Sequence, residues 1–387
     1  MNKFTQNLRL GISVALILGV IYGFYTISTG INYQAHNTLR RSFIDHPEFI
    51  PSAQVVKIGS MGMETVVADF YWLSAIQYIG SNAIKADYKQ YLGVMLNLVT
   101  DLSPHFTYPY QIGMLLIPDI NTRYETLTNE DEKFHIKEAI DLGNKGIRNN
   151  CDMAKIEKIS QEYDLGKLYS NKDLAEPCTE AMIPYYLGYV SYWNNHDPVA
   201  ASKWFRVAGT HAAAPRGAQL MSAIMQGKTG GREKAIIMFL SIAESMDSNP
   251  NSTCRKVTAE LRDVLAPAFA DQVKLTPAFL KKIEEIRVQA KTELGDNQEE
   301  IDRTDISSYC SSYLDKSVRE MNLKYIQDAD ALYFRDTGTH AKNAKVLLDK
   351  KYISYLPKDY QRQSEEFEVI YYFNEKTGGW DFEMGEY

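Results

Sequence analysis

The sequence predicts an all-α protein: a solenoid of helical hairpins, one transmembrane helix before it and a small C-terminal β-hairpin module after it. Three observations predict this class. Residues 10–33 carry no charged side chain. From about residue 61 onward the chain reads as apolar helical patterns broken by Pro and Gly, without a convincing strand until the C-terminal tail. A small–aromatic–small spacing at Ala201, Phe205 and Ala208 recurs 34 residues later at Ala235, Phe239 and Ile242.

Residues 10–33 have the length a helix needs to cross the hydrocarbon layer, roughly 20 apolar residues. Tyr22, Tyr25 and Tyr33 fall where an interfacial aromatic belt belongs. The rival reading is a cleaved signal peptide. Against it, the apolar run is longer than a usual signal core, and no clear small-x-small cleavage site follows. Residues 1–9 contain Lys3 and Arg9, and Arg40 and Arg41 follow the span at a distance. The bias favours a cytoplasmic N-terminus and an exported body. Gly19 and Gly23 form a G-x-x-x-G pair that would allow a homo-oligomeric contact between spans. Residues 34–60, with Pro47 and Pro51, read as a polar juxtamembrane segment.

Composition narrows the function classes. The chain has 387 residues, 45% hydrophobic and 24% charged, which argues against wholesale disorder. The net charge of −7 comes without any basic block, so nucleic acid is not an expected partner. Tyrosine is abundant, 26 against 15 Phe and 4 Trp, and a ring with a polar tip suits helix seams and half-wet grooves. The four cysteines include no C-x-x-C pair. In an exported body they suggest two disulfides; of three possible connectivities, Cys151–Cys178 with Cys254–Cys310 is preferred. The alternative is four reduced thiols in a cytosolic body.

The helical pass runs in order. Apolar residues mark helices over Glu64–Ile79 and Tyr88–Leu102, the second ended by Ser103-Pro104. A third begins near Thr107 and is interrupted by Pro118, and a polar helix covers roughly Glu130–Arg148. Residues 182–217 then read as two helices around Asn-Asn-His-Asp-Pro. Leu187-Gly188 in the first, with Ala201, Phe205 and Ala208 in the second, resembles the tetratricopeptide repeat. A small residue lets the helices of a hairpin approach, and the aromatic fills the gap to the next hairpin. The copy at Ala235, Phe239 and Ile242 is in register with it. Stacked hairpins bury a continuous core only with about three units. Repeats are therefore expected over residues 61–265, with 152–177 as an insertion, followed by C-terminal helices over 266–330.

Ala-Asp-Phe-Tyr-Trp-Leu at 68–73, with Leu-Val-Thr-Asp-Leu-Ser-Pro at 98–104, is similar to membrane-anchored bacterial tetratricopeptide-like proteins of unassigned function. That resemblance covers roughly residues 60–250 and implies a binding scaffold rather than a chemistry. Residues 331–387 read as a small α+β module. Its β-prone run from Phe367 to Phe373, turn at Thr377-Gly378 and return strand form a hairpin. With Leu356-Pro357-Lys358-Asp359 before it, the tail resembles the C-terminal region of type II secretion pseudopilins. The prepilin cleavage motif is absent, and a small β cap on the solenoid is the plainer reading.

No catalytic, metal or cofactor motif is found. The seven histidines are scattered without an i, i+4 pair on one helix. Thr229-Gly230-Gly231-Arg232 sits where a turn between repeat helices belongs. Asp69 and Gln77 interrupt an apolar helix, and the structural reading is a polar side chain bonding a neighbouring helix end. Tyr185, Tyr186, Tyr189, Tyr192 and Trp193 are divided between repeat core and a concave partner-binding face, with Tyr185, Tyr189, Tyr192 and Trp193 as the partner-binding candidates. The expectation is a membrane-tethered scaffold for protein partners at the cell envelope, for example a pilus or secretion assembly. The alternatives are an envelope hydrolase and a cytoplasm-facing adaptor.

Overall fold

The computed structural model describes residues 50–82, 89–119, 128–215, 217–245, 252–269, 275–293, 306–359 and 369–385, together with 19, 20 and 22. The expected span at 10–33 lies outside the described residues apart from those three, which are helical, and residues 34–49 lie outside them too. Among the described residues no helix is long and apolar enough to cross a membrane.

The chain divides into two compact units, the first made of residues 1–103 with 121–126 and the second of 104–120 with 127–387. The division falls inside the 61–265 stretch expected as one repeat array. Unit 1 contains α1 (Ala53–Ser60), α2 (Glu64–Asn82) and α3 (Lys89–Leu102), which pack on one another. Ala68, Ala75 and Tyr78 of α2 are buried, as are Leu92, Met95, Leu96 and Val99 of α3. The opposite side of α2 is also apolar, yet Val66, Phe70 and Leu73 are exposed. Asp69 and Gln77 are exposed as well, so neither is the buried polar group the apolar context suggested.

Unit 2 opens with α4 (Tyr108–Leu116) and α5 (Asn129–Asn150). A capping box starts α5: Thr128 Oγ1 accepts from Asp131 N, and Thr128 N donates to the Asp131 carboxylate. Next come α6 (Met153–Gln161), α7 (Leu165–Ser170) and a 3-10 turn over Lys172–Leu174. These occupy the expected insertion. Cys151 and Cys178 stand at disulfide distance at its base. Backbone bonds from Asp152 N to Pro177 O and from Thr179 N to Asn150 O, 2.7 and 2.9 Å, join the same two strands of chain. The segment is not a loose loop, because Ile156, Ile159, Leu165 and Leu168 are buried. Arg206 reaches back to Glu162 O at 2.9 Å.

The two expected hairpins follow as α8 (Met182–Trp193) with α9 (Pro198–Gly209), and α10 (Gly217–Lys228) with α11 (Arg232–Ser245). Each helix packs on the next. Asp197 caps α9 through Val199 N and Ala200 N, with Pro198 in the first turn where its missing N–H costs nothing. The turns match as well: His196 has φ +52° and Gly230 φ +82°, 34 residues apart and both left-handed. Thr229–Arg232 is thus the turn between α10 and α11. Leu187, Ala201, Phe205, Ala208, Ala235, Phe239 and Ile242 are all buried. Gly188 is buried too, and a Cβ there would lie 3.2 Å from the Phe205 ring.

The remaining helices are α12 (Thr253–Phe269), α13 (Pro277–Glu293), α14 (Ile306–Thr337) and α15 (Ala344–Asp349). Cys254 of α12 and Cys310 of α14 form the second cysteine pair, Cα atoms 6.0 Å apart. Helix α14 is 32 residues long and packs along α11. The sequence boundary drawn at 330 falls inside it, since no Pro or Gly intervenes before Gly338, φ +77°. Strands β1 (Val369–Asn374) and β2 (Gly379–Met384) pair antiparallel, with Phe373 opposite Trp380. Tyr371 and Trp380 share a core with Leu323 and Ile326 of α14 and Leu347 of α15.

A buried polar network fastens this tail. Asp359, fully buried, accepts from Arg319 Nε at 2.6 Å, Tyr371 Oη at 2.8 Å and Arg287 Nη1 at 3.3 Å. Asn322 in turn donates to Tyr371 Oη at 3.1 Å. Asp359, the acid of the Leu-Pro-x-Asp sequence, therefore joins α13, α14 and β1.

Candidate functional site

The face that α8 presents is aromatic. Tyr185 and Tyr192 pack partly buried against Ala201, Phe205 and Met225, so they complete the seam between hairpins. Tyr189 and Trp193 lie one turn apart, stack at 4.6 Å with an interplanar angle of 20°, and are 40% and 43% exposed. Val199, in the first turn of α9, is more exposed still. Half of the aromatic set thus belongs to the core and half faces outward.

A cavity of about 370 Å³ opens beside this face. Pro198 and Val199 form one wall, the α10–α11 turn at Lys228, Thr229 and Gly230 a second, and Phe373, Thr377 and Trp380 of the β-hairpin a third. His340 and Asp330 complete it. Lys228 links cavity to aromatic face: its ammonium pairs with Asp381 of β2 and lies 5.7 Å from the centre of the Tyr192 ring. Burial draws the Lys228 pKa down, but Asp381 more than offsets this and holds it above the usual lysine value.

Asp330 of α14 is 3% exposed, and its carboxylate organises the floor. Oδ1 accepts from Ala341 N at 2.9 Å, while Oδ2 accepts from Trp380 Nε1 at 3.0 Å and lies 2.7 Å from His340 Nδ1. A carboxylate only accepts, so that contact places a proton on Nδ1 and leaves Nε2 as the other ring nitrogen. The imidazole is sandwiched between Phe334 at 4.3 Å and Phe373 at 4.0 Å. Arg232, at the end of the glycine turn, is committed elsewhere: it pairs with Glu320 at 2.7 Å, donates to Trp380 O, and is 2% exposed.

Chemically, the cavity offers an imidazole with fixed orientation, an ammonium already balanced by a carboxylate, an amide from Gln327 and aromatic walls. That combination suits a side chain or short segment of polypeptide, held by stacking and a few polar contacts. Among the described residues, no group of three His, Cys, Asp or Glu side chains could hold a metal ion.

Sequence reasoning places Tyr185, Tyr189, Tyr192 and Trp193 on one helix, and the structure keeps them together. It misses His340, Asp330, Lys228, Phe373 and Trp380, which come from α14, its C-terminal loop, α10 and both strands. His340 and Asp330 are ten residues apart across a helix end, a spacing with no local signature. The chain matches no protein-family model, no curated protein and no solved structure.

Proposed function

We propose that this chain is a membrane-tethered scaffold of tetratricopeptide type, anchored by residues 10–33, whose exported body holds a protein partner at the cell envelope. The observation that carries the reading is the stacked, exposed pair Tyr189 and Trp193, set beside an aromatic cavity on an array of helical hairpins. Tyr and Trp are residue types on which interface energy concentrates, and here two of them are exposed side by side. The paired cysteines support an exported body. The pseudopilin resemblance of the tail suggests a pilus or secretion assembly as the setting. In this reading the chain binds and positions its partner and does not catalyse.

The test is co-purification from detergent-solubilised membranes, wild type against the double variant Y189S/W193S. The reading expects a stoichiometric envelope protein with the wild type and its loss with the variant, which still unfolds in one cooperative transition well above the assay temperature. The same proteins recovered with both would refute it.

One observation favours a second reading, an envelope hydrolase: the His340–Asp330 pair in the cavity has the geometry of an oriented general base. Among the described residues that line the cavity no nucleophile is paired with it: Thr229 Oγ1 donates to Gln226 O and Thr377 Oγ1 to Asn374 O. Hydrolysis of a peptide or cell-wall substrate, abolished by H340A, would decide for this reading.

A further inference from the structure

The cavity beside the aromatic face has a polarity of its own. Each side-chain donor group that lines it already has an acceptor within the protein. The Lys228 ammonium pairs with Asp381, Thr229 Oγ1 donates to Gln226 O and Thr377 Oγ1 to Asn374 O. Trp380 Nε1 and His340 Nδ1 are both held by Asp330, and Gln327 Nε2 donates to Gly230 O at 3.4 Å. Two side-chain acceptors are left without a partner among the described residues, His340 Nε2 and Gln327 Oε1. Phe334 and Phe373 cover the two faces of the imidazole and Asp330 holds its Nδ1 edge. The 40% of the side chain that stays exposed is therefore largely the edge bearing Nε2. In a neutral ring whose proton sits on Nδ1, Nε2 only accepts. Charge points the same way. Lys228 is balanced by Asp381, which leaves the Asp330 carboxylate uncompensated in the cavity floor.

We propose that the cavity takes one lysine or arginine side chain of the protein partner, its cationic head donating to His340 Nε2 and Gln327 Oε1. The scaffold reading supplies only the claim that this side chain belongs to a protein, and to that extent the inference rests on it. Lysine and arginine bury an aliphatic stem while the head keeps polar company. Here Pro198, Val199 and Phe373 offer the apolar wall for the stem. Gly230, Gly378 and Gly379 place no side chain on the other walls, which leaves room for a long unbranched chain. A carboxylate in the same place would face two acceptors and a buried anion, so the cavity selects by repulsion as well as by attraction. Tyr189 and Trp193 remain the anchors of the interface, and the cavity beside them reads one charged position of what they hold.

The test titrates Nα-acetyl-lysine amide and Nα-acetyl-arginine amide into the detergent-solubilised full chain at pH 8. The ring 15N resonances of its seven histidines are followed, with those of His340 identified by their loss in H340F. Nα-acetyl-norleucine amide, uncharged and of similar length, and Nα-acetyl-glutamate amide are the controls. The inference expects a saturable shift of the His340 Nε2 resonance with the basic probes alone, with a dissociation constant on the order of 1 mM. Val199 is 65% exposed on the cavity wall, so its substitution leaves the core intact. V199E should tighten the basic probes about two- to fivefold and V199K should weaken them to a similar extent. Norleucine or glutamate probes that bind as well as the basic ones, V199E and V199K that act alike, or no shift at His340 with any probe would each overturn the inference. None of these touches the scaffold reading, which stands while a partner is recovered with the wild type and lost from Y189S/W193S. Failure to recover a partner overturns that reading, and with it the protein origin of the side chain, even when the probes bind.

Discussion

Oδ2 of Asp330 is shared by two rings: Trp380 Nε1 donates to it at 3.0 Å, and His340 Nδ1 lies 2.7 Å away. A third donor, Ala341 N, reaches Oδ1 at 2.9 Å. One buried carboxylate therefore joins the end of α14, the loop after it and β2, and it sets the floor of the cavity. Removing it strands buried donors, each at a cost of about 1–3 kcal/mol. D330A should lower the unfolding free energy by at least that amount in a denaturant titration. It should also shift the Trp380 fluorescence, read in a background where Trp72, Trp193 and Trp204 are Phe.

Asp359 is the stronger anchor, since it balances two buried guanidinium groups. D359N keeps the shape and removes the charge: Arg287 retains Glu284 and Asp315, whereas Arg319 is left buried without its paired carboxylate. The expected loss is about 3–5 kcal/mol. Thermal unfolding compared with the exposed-site control D173N measures it.

Lys316 gives the structure a pH dependence. Burial first, then the neighbouring Arg319, pull its pKa from 10.5 down to about 8, with Asp315 opposing. The folded pKa lies below the unfolded one, so between about pH 8 and 10.5 the unfolded chain binds more protons. Stability owed to this group is therefore lowest below pH 8 and rises as pH climbs through that window. K316M should raise the melting temperature at pH 7 and flatten the rise above pH 8.

The Cys151–Cys178 pair closes a loop of 27 residues that includes α6 and α7. Closing such a loop in the unfolded chain stabilises by about 3.5 kcal/mol on the chain-entropy account. C151S/C178S should lose that much. Because Ile156, Ile159, Leu165 and Leu168 stay buried, protection from proteolysis should fall only in proportion to global stability, without selective cleavage inside 152–177.

What the sequence reveals follows the range of the interactions. The pair Phe205 and Phe239 is legible because the repeat is local: a small residue, an aromatic and a fixed period are written in one stretch of chain. The close approach of Gly188 to Phe205 belongs to the same local grammar. The cavity is not legible, because Lys228 and Asp381 meet across 153 residues and only the fold-back of the β-hairpin brings them together. Helix α14 runs past the boundary expected at 330 because no Pro or Gly intervenes before Gly338, and Asp330 inside it is satisfied by partners beyond the helix.

The most direct test of the scaffold account is site-specific photo-crosslinking in living cells, with a photo-reactive residue in place of Trp193 and, as a control, of exposed Glu157 on α6. The account predicts that position 193 captures a discrete envelope protein which position 157 does not, and that adding Y189S reduces the yield. Equal capture from both positions, or no adduct from position 193 in cells where the protein is folded and membrane-bound, would contradict it.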